Sequence, residues 1–560
     1  MSKEQDDLTS KQKDYAIFLP AISGFYATFI GKQRQENYVD PARFPAGLTD
    51  MEQMNWLNDQ KAMFPYKWSL YSGGHANLDL TKEVSSEDMV RKRDPNTIIL
   101  GDSGGFQIAK GMWEGEWHDP TGPEVAKKKA KLKGDELKAY QKRLDAAQKK
   151  REEVLTWLDS VSNYCMTLDI PTWVINNPDA NDKIGDFRTP QALVNATKYN
   201  NEYFMKNRKG ISEGGTKILN VLQGANHHEA EQWYQTMKDY CDPNVYPDTH
   251  FNGWAMGGQN MCDVELVLKR IIALKYDGLL KEGVHDWMHF LGTSRLEWAV
   301  LLTVIQRNVR KYINPKFTIS FDCASPFLAT ANGQVYNENT FPNNGKWVYH
   351  MGPSVDDKKY SNDTRPFSQG VVQDKKYDVF QDSPISRWLT MKDICIYKPG
   401  VPKAGVTIDE TNFQDPAMYD VLPDVNKNGK WGRTSWDSFS YALLMGHNVW
   451  MHLAAVQEAN RRFDAGEHPA MMRSSGPGGE YFEDLVESIF AAPTKEESYA
   501  IINHYSKYWM EVRGTRGASG KKAFNSSTNY YLLFEEVSDH HEDDDVELDE
   551  SKLDDLEGEQ

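Results

Sequence analysis

The sequence predicts an α/β protein, a (β/α)8 TIM barrel with insertions, and three observations carry that prediction. Short apolar runs recur along the chain, each ending in glycine, aspartate or another turn-forming or polar residue, as strands buried on both faces do. Amphipathic segments of helical period lie between several of these runs, and strands that alternate with helices build parallel sheets. About eight such units over roughly 450 residues match a closed barrel, although periodicity by itself also admits an open doubly wound sheet.

Taken in order, strands are expected at 16–19 (AIFL), 97–100 (TIIL), 164–168 (YCMTL), 218–222 (ILNVL), 251–256 (FNGWAM), 287–291 (WMHFL) and 317–321 (FTISF). An eighth is placed at 443–449 (LLMGHNV). The clearest helices by 3.6 periodicity cover 264–274, 295–312 and 448–463. The barrel is therefore assigned to 15–475, after a polar segment 1–14, with insertions at about 110–157 and 334–440. Within the first, 123–153 is rich in lysine, alanine and glutamate and reads as an exposed helical insertion. A helical extension is expected over 476–534, and an acidic, disordered tail over 535–560.

The chain of 560 residues carries a formal charge of −17, which on its face disfavours a polyanionic partner. The distribution removes that objection. The tail holds fourteen acidic residues against one lysine, so its −13 leaves only −4 for everything before it. Eleven lysines and arginines crowd into 127–151, a local basic face. Five cysteines are scattered without C-x-x-C spacing and no apolar leader follows the N-terminus, which indicates a reduced, cytoplasmic setting, the host cytoplasm if the chain is phage-encoded. No apolar run approaches the roughly 18–20 residues that span a bilayer, so no membrane partner is expected.

The unusual polar residues fall where the expected strands end. Asp102 follows 97–100, Asp169 follows 164–168, Gln223 follows 218–222, Gly257 and Gly258 follow 251–256, and Asp322 closes 317–321. In parallel α/β folds this C-terminal rim is where active sites are built. Two carboxylates on one rim suit chemistry at a sugar anomeric carbon: one attacks C1′ to form a covalent glycosyl intermediate, and the other moves the proton of the departing or incoming group. Gln223, a third carboxylate such as Asp169, and the backbone N–H groups of the Gly257-Gly258 turn suit the edge of a purine; such a site rejects wrong bases by leaving its own polar groups unpaired. Phe106, after Gly104-Gly105, offers a stacking face. Singly, each has an ordinary structural reading, the aspartates as turn or helix caps and the phenylalanine as core.

Four segments together resemble the successive signature motifs of the tRNA-guanine transglycosylase superfamily, in the same order: Asp102-Ser103-Gly104-Gly105-Phe106-Gln107, Val221-Leu222-Gln223-Gly224, Gly253-Trp254-Ala255-Met256-Gly257-Gly258 and Phe321-Asp322-Cys323-Ala324-Ser325-Pro326. Leu291-Gly292-Thr293 and Gly446-His447-Asn448 resemble further landmarks, so the likeness covers roughly 95–465. It implies Asp322 as nucleophile, Asp102 as general acid/base, Asp169, Gln223 and the backbone around Gly258 as readers of guanine or a 7-deazaguanine, and Phe106 as the stacking aromatic. The implied reaction uses no redox cofactor and no metal at the chemical centre.

The chain departs from the family pattern in two places. The structural zinc site implied by the resemblance needs three closely spaced cysteines and a histidine, and only the histidine position, His447, is present, so no zinc and no other cofactor is expected. Where family members show arginines after the nucleophile, this chain reads Phe327-Leu328-Ala329-Thr330-Ala331-Asn332-Gly333. Both departures touch the grip on tRNA rather than the chemistry. The chain looks more like the phage and bacterial branch that inserts 7-deazaguanines of the preQ0 type into DNA, which for a duplex requires the target guanine to be flipped out. Expected partners are thus DNA before tRNA, the 7-deazaguanine base and, as an option, a second copy in a homodimer. A glycoside hydrolase with the same carboxylate pair and a non-catalytic nucleic-acid-binding subunit are the alternatives. The His227-His228 and His540-His541 pairs and the calcium-loop-like start at Asp424 are read as structural, because no third histidine-side ligand is evident and Ser435 stands where the loop's glutamate belongs.

Overall fold

The computed structural model describes residues 7–12, 14–36, 39, 41–82, 87–373, 379–396, 401–402, 419–420, 435–475 and 478–512. Eight parallel strands form one sheet: β1 (Ile17–Pro20), β2 (Trp68–Ser72), β3 (Ile98–Asp102), β4 (Tyr164–Met166), β5 (Lys217–Leu222), β6 (Gly253–Met256), β7 (Trp287–Phe290) and β8 (Thr318–Cys323). Their spatial order is β1-β8-β7-β6-β5-β4-β3-β2. The remaining seam, between β1 and β2, is bridged at Ala21 and Leu70, where the Ile22 N–H donates to the Leu70 carbonyl at 3.0 Å. The sheet is thus nearly closed into a barrel, as the repeat of strand and helix predicts.

Alternation along the strands creates two cores. Ile17, Leu19, Leu70, Leu100, Met166, Leu219, Val221, Ala255 and Trp287 point inward and fill the barrel. Their neighbours, such as Phe18, Ile99, Ile218 and Phe321, join the larger core between strands and helices. Such interior packing makes the barrel a solid support, with a site only at its rim.

Seven expected strands are present, and the eighth is a correction. Residues 443–449 lie inside the helix Ser438–Asp464, and the missing strand is β2. A short apolar run fits a buried helix as well as a strand. The β2 sequence, WSLYS, is half polar, and its burial depends on tertiary partners: Ser69 Oγ accepts the indole N–H of Trp56 at 2.7 Å. The Lys-rich region forms two helices, Pro123–Lys131 and Gly134–Val161. The second begins exposed and ends as the barrel's own crossover from β3 to β4, with Arg151, Val154, Trp157 and Leu158 buried.

Beyond β8, β9 (Gln334–Thr340) and β10 (Val348–Pro353) pair as an antiparallel hairpin. Helices Phe482–Ala491, Lys495–His504 and Ser506–Glu511 pack on Val264–Tyr276 and Leu296–Tyr312. The acidic tail, the rest of the extension beyond 512, His540-His541 and the Asp424 turn lie outside the described residues. Among the described residues no helix is long and apolar enough to cross a membrane. All five cysteines are buried, and none is paired in a disulfide.

Buried Asn448 fastens the hairpin to the barrel. Its amide donates to the Pro326 carbonyl (3.1 Å) and Thr330 Oγ1 (3.0 Å), and its carbonyl accepts the Tyr336 N–H at 3.0 Å. Orphaning a buried polar group costs about 1–3 kcal/mol, so Asn448→Ala should lower stability by at least ~2 kcal/mol. A urea midpoint unchanged from wild type would contradict this staple.

Candidate active site

All seven residues singled out in the sequence line one cavity of about 260 Å³ at the C-terminal rim: Asp102, Phe106, Asp169, Gln223, Gly257, Gly258 and Asp322. The four polar ones, Asp102, Asp169, Gln223 and Asp322, each stand at the end of a buried strand or within three residues beyond it.

Asp102 is the last residue of β3 and sits in register with Ser72, the last of β2. Ser72 donates its hydroxyl to Asp102 Oδ2 at 2.7 Å, and the Gly104 N–H reaches Oδ1 at 3.4 Å. Burial raises the pKa of Asp102, and the charge of Asp322 raises it further, against the lowering effect of the Ser72 and Gly104 bonds. Burial and the neighbouring charge thus both favour the protonated acid over the carboxylate.

Asp322, on β8, is 9% exposed. Its Oδ1 accepts the Gly292 N–H at 3.0 Å and lies 3.0 Å from His289 Nε2. This carboxylate is met from β7 and the turn that follows it, by a side chain and a backbone group three residues apart.

Asp169 sits beyond β4, in a segment tied to the helix Pro190–Asn207. Asn200 donates to the Leu168 carbonyl (2.8 Å), Thr197 Oγ1 accepts the Ile170 N–H (3.1 Å), and buried Arg151 fixes Asn200 at 2.6 Å. Gln223 donates to Asp169 Oδ2 at 2.8 Å, which keeps the amide's carbonyl and second N–H for a ligand. Burial, with Asp102 adding to it, pushes the Asp169 carboxyl up to about 7.

The glycines are required by this packing. A Cβ on Gly105 would lie 2.5 Å from the Asp169 carbonyl and 2.9 Å from its Oδ1. A Cβ on Gly258, whose φ is +56°, would meet the Gly224 carbonyl at 2.6 Å and Gln223 Oε1 at 2.9 Å. The glycine after strand 6 therefore lets the backbone approach whatever Gln223 reads. Phe106 stands at the cavity edge with Trp173, ring centroids 6.1 Å apart and tilted by 57°, and Met261 and Leu291 also line the cavity.

Sequence reasoning missed His289, Ser72 and Trp173. His289 had a readable signal, a polar residue inside an apolar strand run. Trp173 had none, because Phe106 and Trp173 meet only through the fold. The helix after Asp322, Ser325–Ala331, is buried along its whole length, so this stretch without arginines is core. His447 is buried as well, donating Nε2–H to the Tyr336 carbonyl at 2.9 Å and stacking on Phe380, and burial lowers its pKa to about 4. Cys395 donates its thiol to the Val355 carbonyl at 3.4 Å. With those commitments these residues do not fit the zinc site that the resemblance implies, and among the described residues no cluster of three potential ligands occurs. His227 pairs with Asp263 at 2.5 Å.

Compared with known proteins, the chain matches no family model and no curated protein.

Two outcomes follow from this geometry. Gly105→Ala should displace Asp169 and lower stability by about 1–3 kcal/mol in urea unfolding while leaving the circular dichroism spectrum unchanged; an unchanged urea midpoint would show that the added Cβ is accommodated. Asp169 also imposes a pH dependence. Between about pH 4 and about 7 the folded chain holds a proton that the unfolded chain has lost, so stability falls as pH rises through that window and is level above it. Asp169→Asn cannot ionise and should gain on wild type between pH 5 and pH 7 in urea unfolding; parallel curves would show that Asp169 is not perturbed.

Proposed function

We propose that this chain is a base-exchange transglycosylase that replaces guanine in DNA by a 7-deazaguanine through a covalent intermediate on Asp322. The observation that carries the proposal is the convergence in one cavity of two kinds of group: a carboxylate pair, Asp102 and Asp322, and a purine-edge reader, Asp169 with Gln223 and the Gly257-Gly258 turn. A sugar-cleaving site would need the pair alone. At about 260 Å³ the cavity lies below the roughly 300–1,000 Å³ of pockets for drug-sized ligands, a size suited to one bicyclic base.

The chemistry then runs in two displacements. Asp322 attacks C1′, the C1′–N9 bond breaks, and the departing guanine takes the electron pair of that bond and a proton from Asp102. The incoming 7-deazaguanine gives its N9 proton to Asp102 and attacks C1′ from the same side as the lost base, releasing the Asp322 carboxylate. Two inversions retain the configuration at C1′. Above about pH 7, where Asp169 is ionised, its carboxylate accepts the N–H donors of the guanine edge, and Phe106 and Trp173 flank the ring.

DNA is preferred over tRNA because the helix behind the nucleophile is buried core without a cation and the zinc ligands are absent. The exposed lysines on the Pro123–Lys131 helix supply a sequence-independent backbone contact in this reading. Exchange in tRNA is the second reading, since the resemblance itself is to tRNA enzymes.

Purified chain offered radiolabelled 7-deazaguanine with DNA and tRNA in parallel should label DNA, and Asp322→Ala should lower incorporation at least about 10³-fold and abolish covalent capture. Asp102→Asn should cost about 10²–10⁴-fold. Label in tRNA alone would reverse the choice of substrate; undiminished capture by Asp322→Ala would sink the nucleophile assignment.

A further inference from the structure

Behind Asp322 lies a series of three buried side chains that the two displacements do not use. The indole N–H of Trp287 donates to Ser320 Oγ at 2.8 Å, Ser320 Oγ lies 2.8 Å from His289 Nδ1, and His289 Nε2 lies 3.0 Å from Asp322 Oδ1. His289 and Ser320 are fully buried and Trp287 is 6% exposed. The strand register builds the series: His289 is paired with Ser320 across β7 and β8, and Asp322, two residues beyond Ser320, faces the same side. The Trp287 ring is itself held against Tyr164, centroids 4.5 Å apart.

An indole nitrogen only donates, so Ser320 Oγ accepts there; its own proton is available to His289 Nδ1, and that is the direction a neutral ring takes when its Nε2–H faces the Asp322 carboxylate. An Nδ1 that accepts places the ring proton on Nε2, directed at Asp322. The Gly292 N–H meets the same Oδ1 at 3.0 Å. Both donors therefore hold one oxygen of the nucleophile and leave Oδ2 for the cavity.

We propose that His289 is a positioning residue for the nucleophile, its Nε2–H tautomer set by Ser320 and Trp287, so that Asp322 is gripped through Oδ1 and presents Oδ2 to C1′. The proposal rests on the base-exchange reading of the same site. The grip acts at two points. It confines the attacking oxygen to one orientation, and it stabilises the negative charge that returns to Asp322 when the second base displaces it.

In the full chain, His289→Leu should lower kcat by about 10- to 100-fold with the KM for the base changed by less than about threefold, whereas His289→Gln, whose amide also presents an N–H, should restore most of the rate. Ser320→Ala should lower kcat by at least about fivefold when His289 is present and by less than about twofold in the His289→Gln background, because an amide has no tautomer to lose. Equal effects of Ser320→Ala in both backgrounds, or a His289→Leu chain with unchanged kcat, overturn the proposal. Nitrogen-15 spectra of histidine-labelled wild type should show His289 protonated on Nε2 and bare on Nδ1; a protonated Nδ1 overturns it too. That spectrum needs no turnover. If wild type exchanges no base in DNA or tRNA, the base-exchange reading falls, while the spectrum still decides whether the tautomer is set as described.

Discussion

Three carboxylates, Asp102, Asp169 and Asp322, share one cavity, and the crowding of negative charge there is the constraint to which the surrounding structure responds. Burial and mutual repulsion both oppose ionisation, and a protein relieves them only by supplying donors or by letting a group keep its proton. The three aspartates are relieved differently. Asp322 faces His289 Nε2 on β7 and the Gly292 N–H in the turn beyond it, Asp102 receives a serine hydroxyl and a long backbone N–H bond, and Asp169 a single amide from Gln223. Burial raises the pKa of Asp102, held by a hydroxyl and a long backbone bond, and of Asp169, held by one amide.

Support for those donors extends outward through the fold. Ser72 reaches Asp102 because β2 and β3 end in register, and the bond fails if either strand slips by one residue. The segment carrying Asp169 is pinned by Thr197 and Asn200, and Asn200 by Arg151 from the crossover helix. A side chain on Gly105 or Gly258 would enter the space that Asp169 and Gln223 occupy. The site is therefore set on rigid strand ends, with short turns that have room for one conformation.

Much of this was legible in the sequence, and the reason lies in how a parallel barrel is made. Strands buried on both faces are mostly apolar, so an aspartate or glutamine at the end of such a run stands out, and seven of eight strands together with Asp102, Asp169, Gln223 and Asp322 were found that way. Where a strand is not uniformly apolar the signal fails. β2 is half polar because Ser69 and Ser72 are satisfied by Trp56 and Asp102, partners distant in the sequence from at least one of them. The run at 443–449 misled because a helix packed on all sides carries the same continuous apolarity as a buried strand.

By itself, then, the sequence determined the alternation of elements, the rim on which function sits and the identity of the residues that reach it, since these depend on local polarity and period. Only the tertiary structure decided which strand closes the barrel, that Phe106 stands beside Trp173, and that His289 is joined to Asp322 through the register of β7 and β8. Those are relations between segments far apart in the chain. Composition and period specify what each segment prefers to bury, whereas the pairing of one buried polar group with another is set by where the strands and turns bring them.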